Sequence, residues 1–269
     1  MTGRVMARPV VALLTDFGTR DHYAGTLKGV LLGVCPDATL VDIGHDVPAH
    51  DVLTGALELA ACYRYFPVGT IFLVVVDPGV GSSRRGLAAD TGDYRFVAPD
   101  NGVLSAVFAE TPPKKVVELT ERKYARPTVS RTFEGRDRFA PAAGHLAKGV
   151  SLVSLGKSLA NYVVLDLPRP VLVDGELHGT VVRLDRFGNL ITNIDRRTLE
   201  KFADGRPIAV EVGGTDVPRL VATYAEAAPR EICALFGSTD HLEVAVNAGD
   251  AAAVLGLGRG TPARVRLVR

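Results

Sequence analysis

Through the first half of the chain, short apolar runs of strand length alternate with segments whose apolar positions recur at helical spacing. Val10–Leu14 predicts a buried strand. A helix is expected over His22–Val34, with Tyr23, Leu27, Val30, Leu31 and Val34 on one face. Pro36-Asp37 ends it, and Thr39–Ile43 predicts the next strand. Asp51 is placed to cap a further helix that turns Leu53, Leu57 and Ala60 inward. Ile71–Val76 is apolar at every position, as a central parallel strand covered on both faces requires. Strands are expected at Gly86–Asp90 and Tyr94–Val97, and helices near Val103–Ala109 and Arg138–Lys148. Beyond Pro168 the pattern changes to short alternating segments, Gly179–Leu184, Ile208–Val212, Leu242–Val246 and Ala263–Leu267, separated by Gly, Asp and Pro. The expectation is therefore an N-terminal α/β domain over 8–167 and a C-terminal all-β domain over 171–269, joined by Pro168-Arg169-Pro170.

Composition narrows the class. At 269 residues there is room for one large domain or two modest ones, and 47% hydrophobic with 23% charged residues is globular and not disordered. Lys plus Arg number 31 against 30 for Asp plus Glu, and no basic stripe stands out, so nucleic acid is not an expected partner. Cys35, Cys62 and Cys233 lie far apart in apolar surroundings, which reads as reduced core thiols and not as a disulfide frame or zinc site. Arg4 and Arg8 precede an apolar run that stops at Asp16, too short for a signal-peptide core, and no run reaches membrane-spanning length. A cytoplasmic, soluble protein is expected.

Candidate chemistry gathers where strands end. In a doubly wound sheet, ligands bind beyond the carboxyl ends of the strands. Val10–Leu14 runs into Thr15-Asp16-Phe17-Gly18, Thr39–Ile43 into Gly44-His45-Asp46, Ile71–Val76 into Asp77-Pro78-Gly79, and Phe96–Val97 into Ala98-Pro99-Asp100-Asn101-Gly102. Such acids suit a hydroxyl-rich or cationic ligand better than a phosphate. Each also satisfies ordinary turn chemistry taken alone. Other motifs fail. Asp16-Phe17-Gly18 lacks the companions of a kinase magnesium triplet, Gly79-x-Gly81 lacks the third glycine of a dinucleotide fingerprint, and no Walker loop is present. Gly256–Gly260 reads as a hairpin turn. Asp42, His45, Asp46, His50 and Asp51 are dense but spread from a strand end to a helix start, so no metal is expected there. His145, in an apolar helical stretch, reads as a packed histidine.

Seven segments, taken in order, resemble a known family: LLTDFGTRDHYAGTLKGVL, DIGHDVPAHDVLTGALEL, YFPVGTIFLVVVDPGVGSSRR, VAPDNGVLSAVF, TFEGRDRFAPAAGHLA, DRFGNLITNI and FGSTDHLEVAVNAGDAA. The chain is similar to the S-adenosylmethionine hydroxide adenosyltransferases, the hydrolase branch of a group that includes the adenosyl fluorinase and chlorinase. The resemblance implies a Rossmann-like α/β domain, a β-barrel-like C-terminal domain, and a homotrimer whose sites lie where one subunit's N-terminal domain meets a neighbour's C-terminal domain. It implies hydrolysis of S-adenosylmethionine to adenosine and methionine, with the sulfonium compound as substrate and no metal or further cofactor. It places Asp16 on the ribose hydroxyls and Asp21 and Asp185 against the methionine ammonium, with Ser238 nearby. Asn189, beside Phe187, would read the adenine edge as a donor–acceptor pair, Tyr224 would supply a stacking face, and Glu243 lies on the adenine side.

The residues that handle the nucleophile separate the branches. The hydrolases hold water with an Asp-Arg-His triad, whose first two members match Asp77 and Arg84, and the halogenases lack that pair. Without the resemblance, Asp77 and Arg84 read equally as a structural ion pair flanking a glycine turn. The family histidine belongs in TFHGRD, and this chain carries Glu134 there. Two acids near one arginine tend to raise one pKa, which suits a general base near neutral pH. Three functions remain open on sequence alone: hydrolysis with Asp77, Arg84 and Glu134 as catalytic residues, a non-catalytic S-adenosylmethionine or adenosine sensor, and a halogenase.

Overall fold

In the computed structural model of the protein, residues 8–268 are described; Arg4 and Arg269 lie outside them. The chain divides into two compact units, Met1–Leu167 and Pro168–Arg269.

The first unit is built on a mixed sheet. Strand β1 (Val10–Thr15) lies between β2 (Thr39–Gly44) and β3 (Ile71–Val75), and β3 pairs in turn with β5 (Arg95–Pro99), all in parallel. Strands β4 (Gly86–Asp90), β6 (Lys115–Leu119) and β7 (Gly156–Ser158) extend the sheet antiparallel, giving the order β2-β1-β3-β5-β4-β6-β7. Every residue of β3 is buried, because helices cover both faces. On one face Leu27 and Leu31 of α1 (Tyr23–Val34) pack with Ala143 and Leu146 of α4 (Ala140–Ala147). On the other, Leu59 of α2 (Val52–Cys62) packs with Val107 of α3 (Ser105–Glu110). The chain thus winds away from β1 in both directions, and the β1/β3 pair is the point where the strand order reverses.

Two expectations shift in this unit. Helix α2 turns Thr54, Gly55, Ala56 and Leu59 inward, whereas Leu53, Leu57 and Ala60 are only half-buried. The segment is small or apolar nearly throughout, so its period is ambiguous. Gly55 settles the phase, since a Cβ there would lie 3.0 Å from Val76. Asp51 caps the helix as its position suggests, accepting from Thr54 N at 3.0 Å. Helix α4 is shorter than the pattern predicts, because Gly135–Phe139 forms a single π-helical turn before it.

The second unit is an antiparallel sheet in the order β12-β11-β15-β9-β10-β14-β13, with β8 (Val171–Val173) added to β9 (Glu176–Leu184). The remaining strands are β10 (Leu190–Asp195), β11 (Ile208–Val212), β12 (Thr215–Val217), β13 (Ile232–Phe236), β14 (His241–Val246) and β15 (Pro262–Leu267). Its terminal strands β12 and β13 come into contact, which makes the sheet nearly barrel-shaped around Val181, Leu190, Val212, Val244 and Val265. It is not purely β. Helix α5 (Arg196–Ala203) is capped by Asp195, and α6 (Ala251–Leu255) by Asp250. Gly256–Gly260 is consequently the connection from α6 to β15 and not a hairpin turn: Gly256 ends the helix at φ +66°.

Candidate functional site

Because β1, β2, β3 and β5 run parallel, their carboxyl ends share one edge of the sheet, and that edge carries Asp16, Asp46, Asp77 and Asp100. The four acids are not alike. Asp100 is buried and committed to the fold, accepting from Arg85 Nε at 2.8 Å and from Val163 N at 2.8 Å. Asp46 is exposed. Asp16 follows β1 directly and is half-buried, with Oδ2 accepting from His50 N at 2.9 Å. Asp21 lies in the exposed turn just before α1. Asp16 and Asp77 stand at the ends of the two strands that flank the reversal of strand order.

At Asp77 the structure builds a closed ion cluster. Arg84 Nε donates to Asp77 Oδ1 at 3.0 Å and Nη2 to Asp77 Oδ2 at 2.6 Å, a bidentate fork. The same Nη2 donates to Glu134 Oε2 at 2.6 Å, and Nη1 donates to the Arg85 carbonyl at 3.0 Å. The three side chains are 8%, 5% and 10% exposed for Arg84, Asp77 and Glu134, so two carboxylates share one guanidinium largely out of water. Arg138 lies 3.8 Å from Glu134 Oε1 as a more exposed second cation. Burial pushes the Asp77 carboxyl above the usual aspartate range; the Glu134 charge adds to this and Arg84 opposes it. The guanidinium also sits 5.3 Å from the centre of the Phe139 ring.

Local sequence holds this cluster in place. Gly81 is at φ +77°, and a Cβ there would lie 2.2 Å from the Arg131 carbonyl, so the Asp77–Arg84 loop touches the segment leading to Glu134 through a position open only to glycine. Buried Asp137 fastens that segment, accepting from Ser130 N at 2.8 Å and from Arg136 Nε at 2.7 Å. Phe133, Phe17 and Tyr23 meet edge to face or tilted, with centroids 5.2–5.9 Å apart, which joins the loop after β1 to the turn at Glu134. Sequence reading named none of these supports. The Glu134–Arg138 spacing of four was the one visible signal.

The remaining candidates gather in the second unit, around a cavity of about 770 Å³ lined by Asp185, Phe187, Asn189, Tyr224, Ser238 and Glu243 among others. Asp185 closes the turn before β10: Oδ1 accepts from Phe187 N and Asn189 N, each at 2.9 Å, and Oδ2 accepts from Asn189 Nδ2 at 2.9 Å. Asn189 Nδ2 also donates to the Tyr224 hydroxyl at 3.4 Å, and that hydroxyl donates a short hydrogen bond to Glu243 Oε1. Burial pushes Glu243 up, with the Asp185 charge adding to it, and burial together with Glu243 pushes the Tyr224 phenol up. Phe187 is 73% exposed at the rim, an aromatic face with no ring partner among the described residues. The donor half expected of Asn189 is occupied within the wall, so the amide offers the cavity its Oδ1.

Residues suspected on sequence of other roles have local partners. Asp42 pairs with Lys28 at 2.5 Å and His45 at 3.1 Å, and His45 Nδ1 meets Thr15 Oγ1 at 2.9 Å. Desolvation raises the Asp42 carboxyl, but its hydrogen bonds with Lys28 and His45 outweigh this and hold it below the usual aspartate range. His145 packs against the Tyr124 ring, and burial lowers its pKa. Among the described residues no group of three or more His, Cys, Asp or Glu is arranged to hold a metal ion, and no helix is long and apolar enough to cross a membrane. The three cysteines are free thiols.

The chain is 39% identical over 266 residues to the (R)-S-adenosyl-L-methionine hydrolase of Thermus thermophilus, covering 96% of this chain and 99% of that one. A fluorinase of Actinoplanes is 32% identical, over 81% of this chain and 84% of its own. A solved structure of an uncharacterized conserved protein from Thermotoga maritima superposes with a TM-score of 0.90 at 36% identity, covering 95% of this chain and 99% of that one. The models for the N-terminal and C-terminal domains of the SAM hydroxide adenosyltransferases match residues 11–156 and 179–264, and with both halves matched in order the chain belongs to that family.

Proposed function

We propose that this chain hydrolyses (R)-S-adenosyl-L-methionine to adenosine and L-methionine by attack of water at ribose C5′. The observation that carries this reading is the buried cluster in which Arg84 is shared by Asp77 and Glu134 at the strand-order reversal. The relatives named as hydrolases support the substrate.

The chemistry asks little of the enzyme at the leaving group. Sulfur is already cationic, so the C5′–S bond breaks with its electron pair returning to sulfur and neutral methionine departs without a general acid. The water oxygen bonds to C5′, and one water proton passes to a carboxylate of the cluster and then to solvent. Asp77 is the acceptor, its basicity raised by burial. Arg84 holds both carboxylates, and Glu134 stands in the position of the family histidine. Fixing the water in line is the larger contribution, since orientation of a bound nucleophile can supply about 7–11 kcal/mol of barrier lowering.

Asp16 has one carboxylate oxygen free of the His50 contact and is assigned to the ribose hydroxyls. Asp21, Asp185 and Ser238 face the methionine portion, and Asn189, Phe187, Tyr224 and Glu243 the base. In this reading the N-terminal unit is Rossmann-like, no metal or further cofactor takes part, and the working form is a cytoplasmic homotrimer that pairs one subunit's N-terminal unit with a neighbour's C-terminal unit. Neither nucleic acid nor a membrane is a partner.

The test is to incubate purified protein with each sulfonium epimer of S-adenosylmethionine, with and without high chloride, and to resolve the nucleosides by chromatography and mass. Adenosine under both conditions is the expected product. A chlorinated nucleoside would assign halogenation, and retention of S-adenosylmethionine without product would assign a sensor.

A further inference from the structure

The buried cluster at Asp77 is unequal in charge. Arg84 gives Nε and one Nη2 hydrogen to Asp77 and the other Nη2 hydrogen to Glu134, while Nη1 donates to the Arg85 carbonyl. Two carboxylates against one guanidinium leave an excess negative charge out of water, where an uncompensated charge is costly. Glu134 has a second oxygen: Oε2 meets Arg84, and Oε1 lies 3.8 Å from Arg138 Nη2, so Glu134 bridges two guanidiniums. Glu134 immediately precedes the π-helical turn Gly135–Phe139 and Arg138 lies within it. The neighbouring arginines are committed elsewhere, Arg136 forking onto Asp137 and Arg126 lying 3.3 Å from the same carboxylate. Among the described residues Arg138 makes no ion pair except with Glu134. Its stem lies over β4: a Cβ at Gly86 would lie 3.5 Å from Arg138 Cδ and 2.5 Å from Cε1 of Phe139, the ring that faces the Arg84 guanidinium.

We propose, resting on the hydrolase reading for what the cluster handles, that Arg138 is a positioning residue of that site: it closes the row Asp77–Arg84–Glu134–Arg138, balances the charge of Glu134, and leaves the Arg84 fork to Asp77. Arg138 is half-buried, so its pair adds little to folding and its effect falls on the two acids. The charged groups that face Asp77 are Arg84 from its own loop and Glu134 from the segment before the π-helical turn; those that face Glu134 are Arg84 and Arg138. Without Arg138, Glu134 depends on Arg84 alone and its charge bears on Asp77 in full. The ionised form of Asp77 is then less favoured, and the pH at which it takes up a proton rises.

The experiment titrates the carbon-13 signal of the Asp77 carboxyl, assigned by its loss in Asp77→Asn, in the full-length parent, in Arg138→Met, in Arg138→Lys, and in Glu134→Gln with and without Arg138→Met. Arg138→Met keeps the apolar stem and should raise the Asp77 midpoint by roughly half a pH unit, the effect of one partly exposed charge acting through a neighbour. Arg138→Lys should restore the parent midpoint, and in the Glu134→Gln background Arg138→Met should shift it by less than half as much. The acid limb of the rate profile should move upward with the midpoint. An unmoved or lowered midpoint in Arg138→Met overturns the proposal, as does a lysine that fails to restore it. Equal shifts with and without Glu134 also overturn it, since Arg138 would then act as a general surface charge. A parent that releases no adenosine from S-adenosylmethionine would remove the hydrolase reading, while the carboxyl titration still decides the role of Arg138. Should Arg138→Met fail to fold, Arg138→Gln takes its place.

Discussion

The Arg84 cluster buries two carboxylates and the Tyr224–Glu243 wall buries one and half-buries another, and the two regions bond them differently. In the first, Asp77 and Glu134 converge on one guanidinium with a second, more exposed cation beside it. In the second, Asp185 accepts from backbone amides and a carboxamide, and Glu243 accepts from a phenol. The charged cluster retains an acid whose proton affinity is raised, which suits handling water. The hydrogen-bonded wall keeps fixed donor and acceptor directions, which suits reading a ligand. Turnover and recognition should therefore separate on mutation.

The largest effects are expected at the cluster. Arg84→Ala leaves two buried carboxylates without their shared cation, and breaking such a pair costs about 3–5 kcal/mol; denaturant titration should show a loss of that size together with loss of turnover. Asp77→Asn preserves shape and is expected to lower kcat by roughly 10²- to 10⁴-fold, the range for removal of a general base. Adenosine affinity, measured by calorimetry, should stay within a few-fold. A comparable loss in both quantities would erase the proposed division of labour. Asp16→Ala should weaken adenosine by about 10- to 100-fold, as loss of a charge-assisted hydrogen bond to the ribose implies.

The smallest effect is the most diagnostic of the cluster's electrostatics. Burial raises the Asp77 pKa, so its carboxylate is lost on acidification at a higher pH than an ordinary aspartate. Activity that needs this carboxylate should fall on the acid side above pH ~3.9, the usual aspartate value. Glu134→Gln removes a negative neighbour, lowers the Asp77 pKa, and should move that limb to lower pH. A limb that stays in place, or moves upward, would separate Glu134 from the titrating group. Arg84, which faces both acids, and Arg138, which faces position 134, remain in this variant.

Much of the first unit was legible because its strands are short, apolar and followed by turn acids. Ile71–Val75 occupies the central place its composition demands, and the acids after β1, β2, β3 and β5 share an edge because those strands are parallel. Less was legible where spacing is weak. Helix α5 has only Leu199 and Ala203 buried over eight residues, so its signal is its Asp195 cap and not its period. Strands β6, β10 and β13 pass without a clean alternation, and pairing partners distant in sequence determine them. The individual site residues could be named from motifs. Their wiring could not: the sharing of Arg84, the approach of Gly81 to Arg131, and the Tyr224–Glu243 bond all join positions 19 or more apart in the chain.

The central claim is that water attacks C5′, and isotope labelling addresses it directly. Turnover of S-adenosylmethionine in water enriched in oxygen-18 should place one labelled oxygen at the 5′ position of adenosine and none in methionine. Unlabelled adenosine, or label recovered instead in an amino-acid product with 5′-methylthioadenosine as the nucleoside, would contradict attack at C5′.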